Sequence, residues 1–205
     1  MRQDAPNYKR YEKGYVKGAE LCLSNFLWRH PSDKIIMPFI NDLRDKDVCE
    51  PGCGEGAYTK ALLENGNRVT GIDRNPGLCG VNIQVVDADA ADYSGALMGR
   101  KFDVVFSAWL TEYLDEKAVT LFLLESYNVL KRGGTFAFTV VRDAGWGALY
   151  VCLAGAVRGV KKYAYGREFI LEALKTGGFT GIRAEALNSW CRVPWADFYT
   201  ANKPC

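Results

Sequence analysis

The segment Val48-Cys49-Glu50-Pro51-Gly52-Cys53-Gly54-Glu55-Gly56 places three glycines within five positions, directly behind a short apolar run. Such a stretch reads as a strand that ends, a backbone that turns tightly, and a helix whose first amides face the turn. Glycine is needed there because a side chain would block a ligand's approach or force an unfavourable φ. Gly52-x-Gly54-x-x-Ala57 also fits the looser dinucleotide fingerprint, so the loop alone leaves the ligand open. Asp73 closes the next β-like run, seventeen residues after Gly56. Its two carboxylate oxygens can accept a pair of O–H donors together, and its competing use is as a helix N-cap. Asp87, Asp89 and Asp92 follow a third run. They read either as a solvated turn or as polar groups at a strand's carboxyl end, where open α/β sheets bind ligands. His30, the one histidine, can titrate near neutrality, although a lone histidine is more often structural than catalytic.

The elements that would hold these residues alternate along the chain. Short β-rich runs fall at Asp47–Glu50, Arg68–Asp73, Asn82–Asp87, Phe102–Ser107 and Gly134–Val141. Helical patterns lie between them at Gly56–Glu64, Asn75–Cys79, Asp92–Met98 and Glu116–Leu130. That alternation predicts a parallel sheet with helices on both faces, and the near-continuous apolar character of Val104-Val105-Phe106 suits strands covered twice. The pattern then changes. A helix from Gly166 to Thr176 ends at Gly177-Gly178, and two further β-like runs, Gly181–Leu187 and Ala196–Ala201, flank a turn-rich stretch. The first 45 residues read as a helical cap broken at His30-Pro31-Ser32, with Tyr8, Tyr11 and Tyr15 on one face.

In this order and spacing the motifs resemble those of the class I S-adenosylmethionine (SAM)-dependent methyltransferases, over roughly Asp47 to Ala201. Glu50-x-Gly52-x-Gly54-x-Gly56 is similar to that family's first motif. The resemblance implies a loop, including Cys53, beneath the methionine part of the cofactor, with Glu50 orienting its amino end. Asp73, with Arg74 beside it, would face the ribose. Asp89 and the amide of Ala90 would frame the adenine, with Asp87 as the alternative acid. Phe102-Asp103-Val104-Val105-Phe106-Ser107-Ala108 resembles the fourth strand, with Ser107 and Ala108 near the methyl-bearing sulfur. Val129-Leu130-Lys131-Arg132-Gly133-Gly134 resembles the turn before the fifth strand, with Arg132 where proline is common. The fold implied is a doubly wound, Rossmann-like α/β sheet of seven strands in the order 3-2-1-4-5-7-6, the last antiparallel.

The same resemblance places substrate-facing polar residues just past the fourth strand, which makes Glu112 and Tyr113 the catalytic candidates beside His30. Arg142 and Asp143, past the fifth strand, are comparable. Trp109, Tyr113 and the N-terminal tyrosines could face the sulfonium. The Gly145–Tyr165 insertion is expected to cover the substrate. It reads either as an amphipathic lid or as a packed helix with a solvated basic end formed by Arg158, Lys161, Lys162 and Arg167. The expected reaction is methyl transfer from SAM to a small-molecule nucleophile, leaving S-adenosylhomocysteine (SAH). The alternatives are a protein N-terminal methyltransferase, a SAM-binding scaffold without activity, and an NAD-linked oxidoreductase, which would lack its Tyr-x-x-x-Lys.

Composition narrows the partners. With 205 residues, 48% of them hydrophobic, one core and one domain are expected. Charges nearly balance, 26 Lys+Arg against 24 Asp+Glu, so no standing nucleic-acid partner is expected. The seven cysteines are scattered without a CxxC pair. Reduced buried thiols in a cytoplasmic protein are the expectation, with no metal site. The most apolar stretch, Gly145–Val160, is short of the ~20 residues a membrane span needs.

Overall fold

The computed structural model describes residues 30–205. These form one seven-stranded sheet in the order β3-β2-β1-β4-β5-β7-β6. The strands are β1 (Asp47–Pro51), β2 (Arg68–Asp73), β3 (Gln84–Asp87), β4 (Phe102–Ser107), β5 (Leu130–Val141), β6 (Thr180–Asn188) and β7 (Pro194–Asn202). β1 to β5 pair in parallel, whereas β7 runs antiparallel to both β5 and β6. This is the strand order and hairpin ending that the motif resemblance implies.

The helices are α1 (His30–Asp42), α2 (Ala57–Glu64), α3 (Glu116–Val129), α4 (Gly145–Arg158) and α5 (Arg167–Thr176). Side chains along a strand point alternately to its two faces, and the cores divide accordingly. Cys49, Val105, Phe136 and Phe138 join the core under α3 and α5. Val48, Val104, Phe106 and Ala137 join a second core with Ile36 and Ile40 of α1, Leu62 of α2, and Tyr150 and Val151 of α4. Strands covered on both sides need apolar residues at nearly every position, which is why Phe102–Ser107 reads as continuous.

Several boundaries differ from the sequence reading. Asp92–Met98 is not an α-helix but a single 3-10 turn, Gly95–Leu97. The buried ring of Tyr93 anchors the turn, and Glu125 of α3 accepts hydrogen bonds from the Tyr93 and Ser94 amides, at 2.8 and 2.6 Å. β5 begins at Leu130, before the glycine pair, because Leu130 already pairs with Phe102. His30, Pro31 and Ser32 lie in the first described turn of α1. Tyr8, Tyr11 and Tyr15 lie outside the described residues. At the start of α4, Gly147 lies against the carbonyls of Arg142 and Trp195. A Cβ there would come within 2.2 and 2.5 Å of them, so only glycine lets the helix dock on the ends of β5 and β7.

Candidate functional site

The glycine loop joins β1 to α2 at the carboxyl edge of the sheet. Gly52, Gly54 and Gly56 have φ of 72, 50 and 85°, left-handed values that side chains rarely tolerate. The turn is tied to β2, because the Gly52 amide donates to the Ile72 carbonyl at 2.7 Å. A Cβ on Gly52 would sit 2.9 Å from Leu110, and one on Gly56 would sit 2.7 Å from Val81. A Cβ on Gly54 would meet nothing nearer than 4.0 Å, so the floor at that residue opens onto free space.

Asp73 closes this cradle. One carboxylate oxygen accepts from the Gly54 amide and the other from the Asn75 amide, both at 2.9 Å. Each oxygen keeps a second lone pair for an O–H donor. The last paired residues of β2 and β3 are Asp73 and Asp87, so two acids stand side by side at the crevice. Asp87 is exposed. Two residues on, Asp89 accepts from the Ala91 amide at 2.9 Å and pairs with Arg74 at 3.1 Å. Arg74 thus holds the third strand's acid in place, and Ala90 is buried beside it.

Glu50 is buried beneath the loop and accepts a 2.6 Å hydrogen bond from Thr59. Burial pushes its carboxyl up to about 8, opposed by the Thr59 bond and reinforced by the negative charge of Asp73. Burial, together with the acids at Glu50 and Asp73, also pushes the Cys53 thiol well above its ordinary range. Cys53 is therefore a packed thiol rather than a nucleophile. Of the described cysteines, only Cys49 and Cys53 are buried; Cys152, Cys191 and Cys205 are exposed, contrary to the expectation of buried thiols throughout. All six are free. No cluster of metal-ligating side chains occurs among the described residues. No helix among them is long and apolar enough to cross a membrane.

On the other side of the loop, β4 delivers Ser107, whose hydroxyl donates to the Pro51 carbonyl at 2.8 Å. The chain then turns sharply through Trp109, at φ 61°, a strained value for an aromatic residue. Its amide donates to Thr139 and its indole N–H to Tyr58, and its ring stacks on Trp195 at 4.9 Å. This turn brings Leu110 against Gly52 and carries Glu112 inward.

Glu112 is buried, with one oxygen 3.3 Å from the ammonium of Lys162. The Lys162 side chain is itself fully buried, its nitrogen 4.4 Å from the ring centre of Tyr113 and 5.0 Å from that of Tyr150. Lys162 therefore does not belong to a solvated basic end. Its strand-like neighbours Lys161 and Tyr163 face the opposite way and line an open groove of about 550 Å³ with Asp115, Glu116 and Asp143. Arg167 and Arg142 both pair with the buried Asp197, so Arg142 is a structural cation rather than a site residue. His30 is exposed at the first turn of α1. The sequence reading placed Lys162 in the insertion without seeing its pairing with Glu112, and it did not single out Trp195. No local signal separates Lys162 from Lys161, because the two adjacent lysines read alike.

The insertion is a helix followed by a strap. α4 packs Tyr150 edge-on against Trp195, and leaves Trp146, Leu149 and Leu153 partly exposed. The strap, residues 160–166, crosses the Glu112 turn, with the Tyr163 amide donating to the Glu112 carbonyl at 2.8 Å and the Tyr165 amide to Val141 at 2.9 Å.

Residues 49–138 match a family described as a methyltransferase domain. Malonyl-(acyl-carrier protein) O-methyltransferase of Enterobacter lignolyticus is 26% identical over 183 residues, 86% of this chain and 69% of that protein. A SAM-dependent methyltransferase from Archaeoglobus fulgidus superposes with a TM-score of 0.69 at 18% identity, over 96% of this chain and 99% of that one. Magnesium protoporphyrin IX methyltransferase of Synechocystis PCC 6803, solved with bound SAH, gives 0.66 at 17% identity, over 97% and 95%.

Proposed function

We propose that the chain is a class I SAM-dependent methyltransferase that uses SAM as its cofactor and methylates a small molecule at an oxygen, nitrogen, carbon or sulfur nucleophile. The observation that carries this reading is the enclosure of the acceptor side. The strap crosses the turn that holds the buried Glu112, an arrangement that suits a compact substrate better than a polymer. We place the enzyme in the cytoplasm, where reduced thiols such as Cys152 and Cys191 are ordinary.

The residues present fit the cofactor. The open floor above Gly54 admits its methionine portion, and the spare lone pairs of Asp73 suit a ribose diol. Asp89 and the Ala90 amide are the adenine contacts in this reading, with Asp87 as the alternative acid. Glu50, Gly52, Cys53, Gly56, Ser107 and Ala108 complete the cradle. When bound, SAM supplies a methyl group on a cationic sulfur that departs as a neutral thioether. The protein's share is alignment and dryness, and holding two reactants in line can supply up to ~7–11 kcal/mol in well-oriented systems. The rings of Trp109 and Tyr113, expected to face the sulfonium, are engaged instead by Trp195 and by the Lys162 ammonium. Glu112 and Tyr113 are the catalytic candidates nearest the loop; His30, exposed on α1, is the weaker one.

A second reading, methylation of a protein's amino end, is favoured by the acids Asp115, Glu116 and Asp143 along the open groove. Lys161 in the same groove and the burial of Glu112 oppose it. Calorimetric titration with SAM, SAH and NAD, followed by labelling of a metabolite extract with methyl-tritiated SAM, tests the proposal. Binding of SAM and SAH and label in small molecules are expected. Binding of NAD alone, or label confined to protein, would overturn it.

A further inference from the structure

One buried polar atom beside the glycine loop has no task within the fold. The Oε2 oxygen of Glu112 is closed off from solvent and has no hydrogen-bond partner among the described residues. The other oxygen, Oε1, faces Lys162 at 3.3 Å. A buried carboxylate oxygen without a donor costs free energy, and a catalytic role is one of the few reasons a native protein keeps such an atom. The position is informative as well: Glu112 lies two residues beyond Leu110, which packs directly on Gly52 of the cofactor loop.

Lys162 accounts for the charge on this carboxylate. Its ammonium is enclosed by Glu112 Oε1, the Tyr150 hydroxyl at 3.4 Å, and the rings of Tyr113 and Tyr150. It has no direction left in which to receive an anionic substrate. Resting on the methyl-transfer reading above, we propose that Glu112 Oε2 is the atom that receives the acceptor's O–H or N–H, and that Lys162 is the positioning residue that holds the carboxylate turned toward it. The acceptor class is then a neutral protic nucleophile, such as an alcohol, phenol or neutral amine. A carboxylate acceptor would bring its own oxygens against Oε2, and a cationic one would meet the ammonium already in place. As the acceptor's lone pair forms the bond to the methyl carbon, the carbon–sulfur pair returns to sulfur, and the acceptor's proton passes to Oε2. The strap that carries Lys162 also shuts the site, and it must lift for the acceptor to enter and the product to leave.

The test combines product identity with variants. Wild-type enzyme, a metabolite extract and methyl-tritiated SAM should yield a methyl ether or an N-methyl product. Glu112→Gln and Lys162→Met should each lower kcat by ~100-fold, the smaller end of what proton transfer by a positioned group contributes. SAH affinity and the KM for SAM should stay within threefold of wild type. Lys162→Arg, which keeps the cation, should recover most of the rate. As a readout independent of turnover, acetic anhydride footprinting should find Lys162 protected in wild type and acetylated in Glu112→Gln. A methyl ester, C-methyl or S-methyl product would overturn the proposal. So would near-wild-type kcat in Glu112→Gln, or a parallel loss of SAH binding in both variants, which would make the pair a structural strut. A wild-type enzyme that binds neither SAM nor SAH would instead defeat the methyltransfer reading itself, and this proposal with it.

Discussion

Replacing Asp73 by Asn separates the two tasks its carboxylate performs. In the structure one oxygen braces the glycine loop through the Gly54 amide, and the other caps the turn through the Asn75 amide. The amide side chain keeps one acceptor and turns the other into a donor that faces a backbone N–H. A hydrogen bond to a charged group contributes ~1.5–3 kcal/mol when buried, and Asp73 is only half-buried, so ~1–2 kcal/mol of stability should go. For a domain of this length that corresponds to a fall of about 2–8 °C in Tm. The ribose contact should suffer in addition: one charge-assisted bond is lost and its replacement presents a donor to a hydroxyl. SAH affinity should therefore drop ~10- to 100-fold, equivalent to ~1.4–2.7 kcal/mol. SAH serves better than SAM in the calorimeter, because it cannot turn over. Differential scanning fluorimetry on the same samples reports the brace separately. If Tm falls as expected while SAH affinity stays within twofold of wild type, Asp73 is a turn brace only, and the ribose role is refuted.

Glu50→Gln should change the pH dependence of stability. The folded carboxyl, near 8 against an ordinary 4.5, holds a proton that the unfolded chain releases, so stability should fall as pH rises from about 4.5 to 8 and then level; denaturant midpoints at pH 5, 6.5 and 8 should slope in wild type and flatten in the variant, and parallel slopes would refute the assignment. Gly56→Ala forces a left-handed φ on a side chain, at ~1–2 kcal/mol, and sets its Cβ 2.7 Å from Val81, so a Tm loss of several degrees with weakened SAH binding is expected. An unchanged Tm would show that the loop relaxes. Asp89→Asn and Asp87→Asn decide which acid reads the adenine: a tenfold or greater loss of SAH affinity is expected for Asp89→Asn and less than twofold for Asp87→Asn, and the reverse order in calorimetry would reassign the contact.

The glycine turn and the strand ends beside it were legible in the sequence because backbone geometry builds them. Positive φ at Gly52, Gly54 and Gly56 is written in the residue type, and strand ends at Asp73 and Asp87 follow from local β patterns. Where the reading went astray, a distant side chain had overruled a local preference. Asp92–Met98 has helical composition, yet Glu125, more than thirty residues away, captures the Tyr93 and Ser94 amides and leaves only a single turn. Lys162 has the look of a solvated lysine, yet Glu112 and two tyrosines draw it inside.

That division has a consequence for how the site can vary. The cradle rests on contacts between neighbours in sequence or on adjacent strands, such as Gly52 with Ile72 and Gly54 with Asp73. The acceptor wall rests on pairs far apart in the chain: Glu112 with Lys162, Trp109 with Trp195, and Trp195 with Ser32 of α1. Residues that share few contacts contribute nearly independently, so changes in the wall should leave nucleotide affinity largely intact. A substitution such as Tyr150→Phe removes the hydroxyl 3.4 Å from Lys162 without touching any residue of the glycine loop. On the proposed reading, acceptor preference can therefore be altered through α4 and the strap, while the glycine cradle stays as it is.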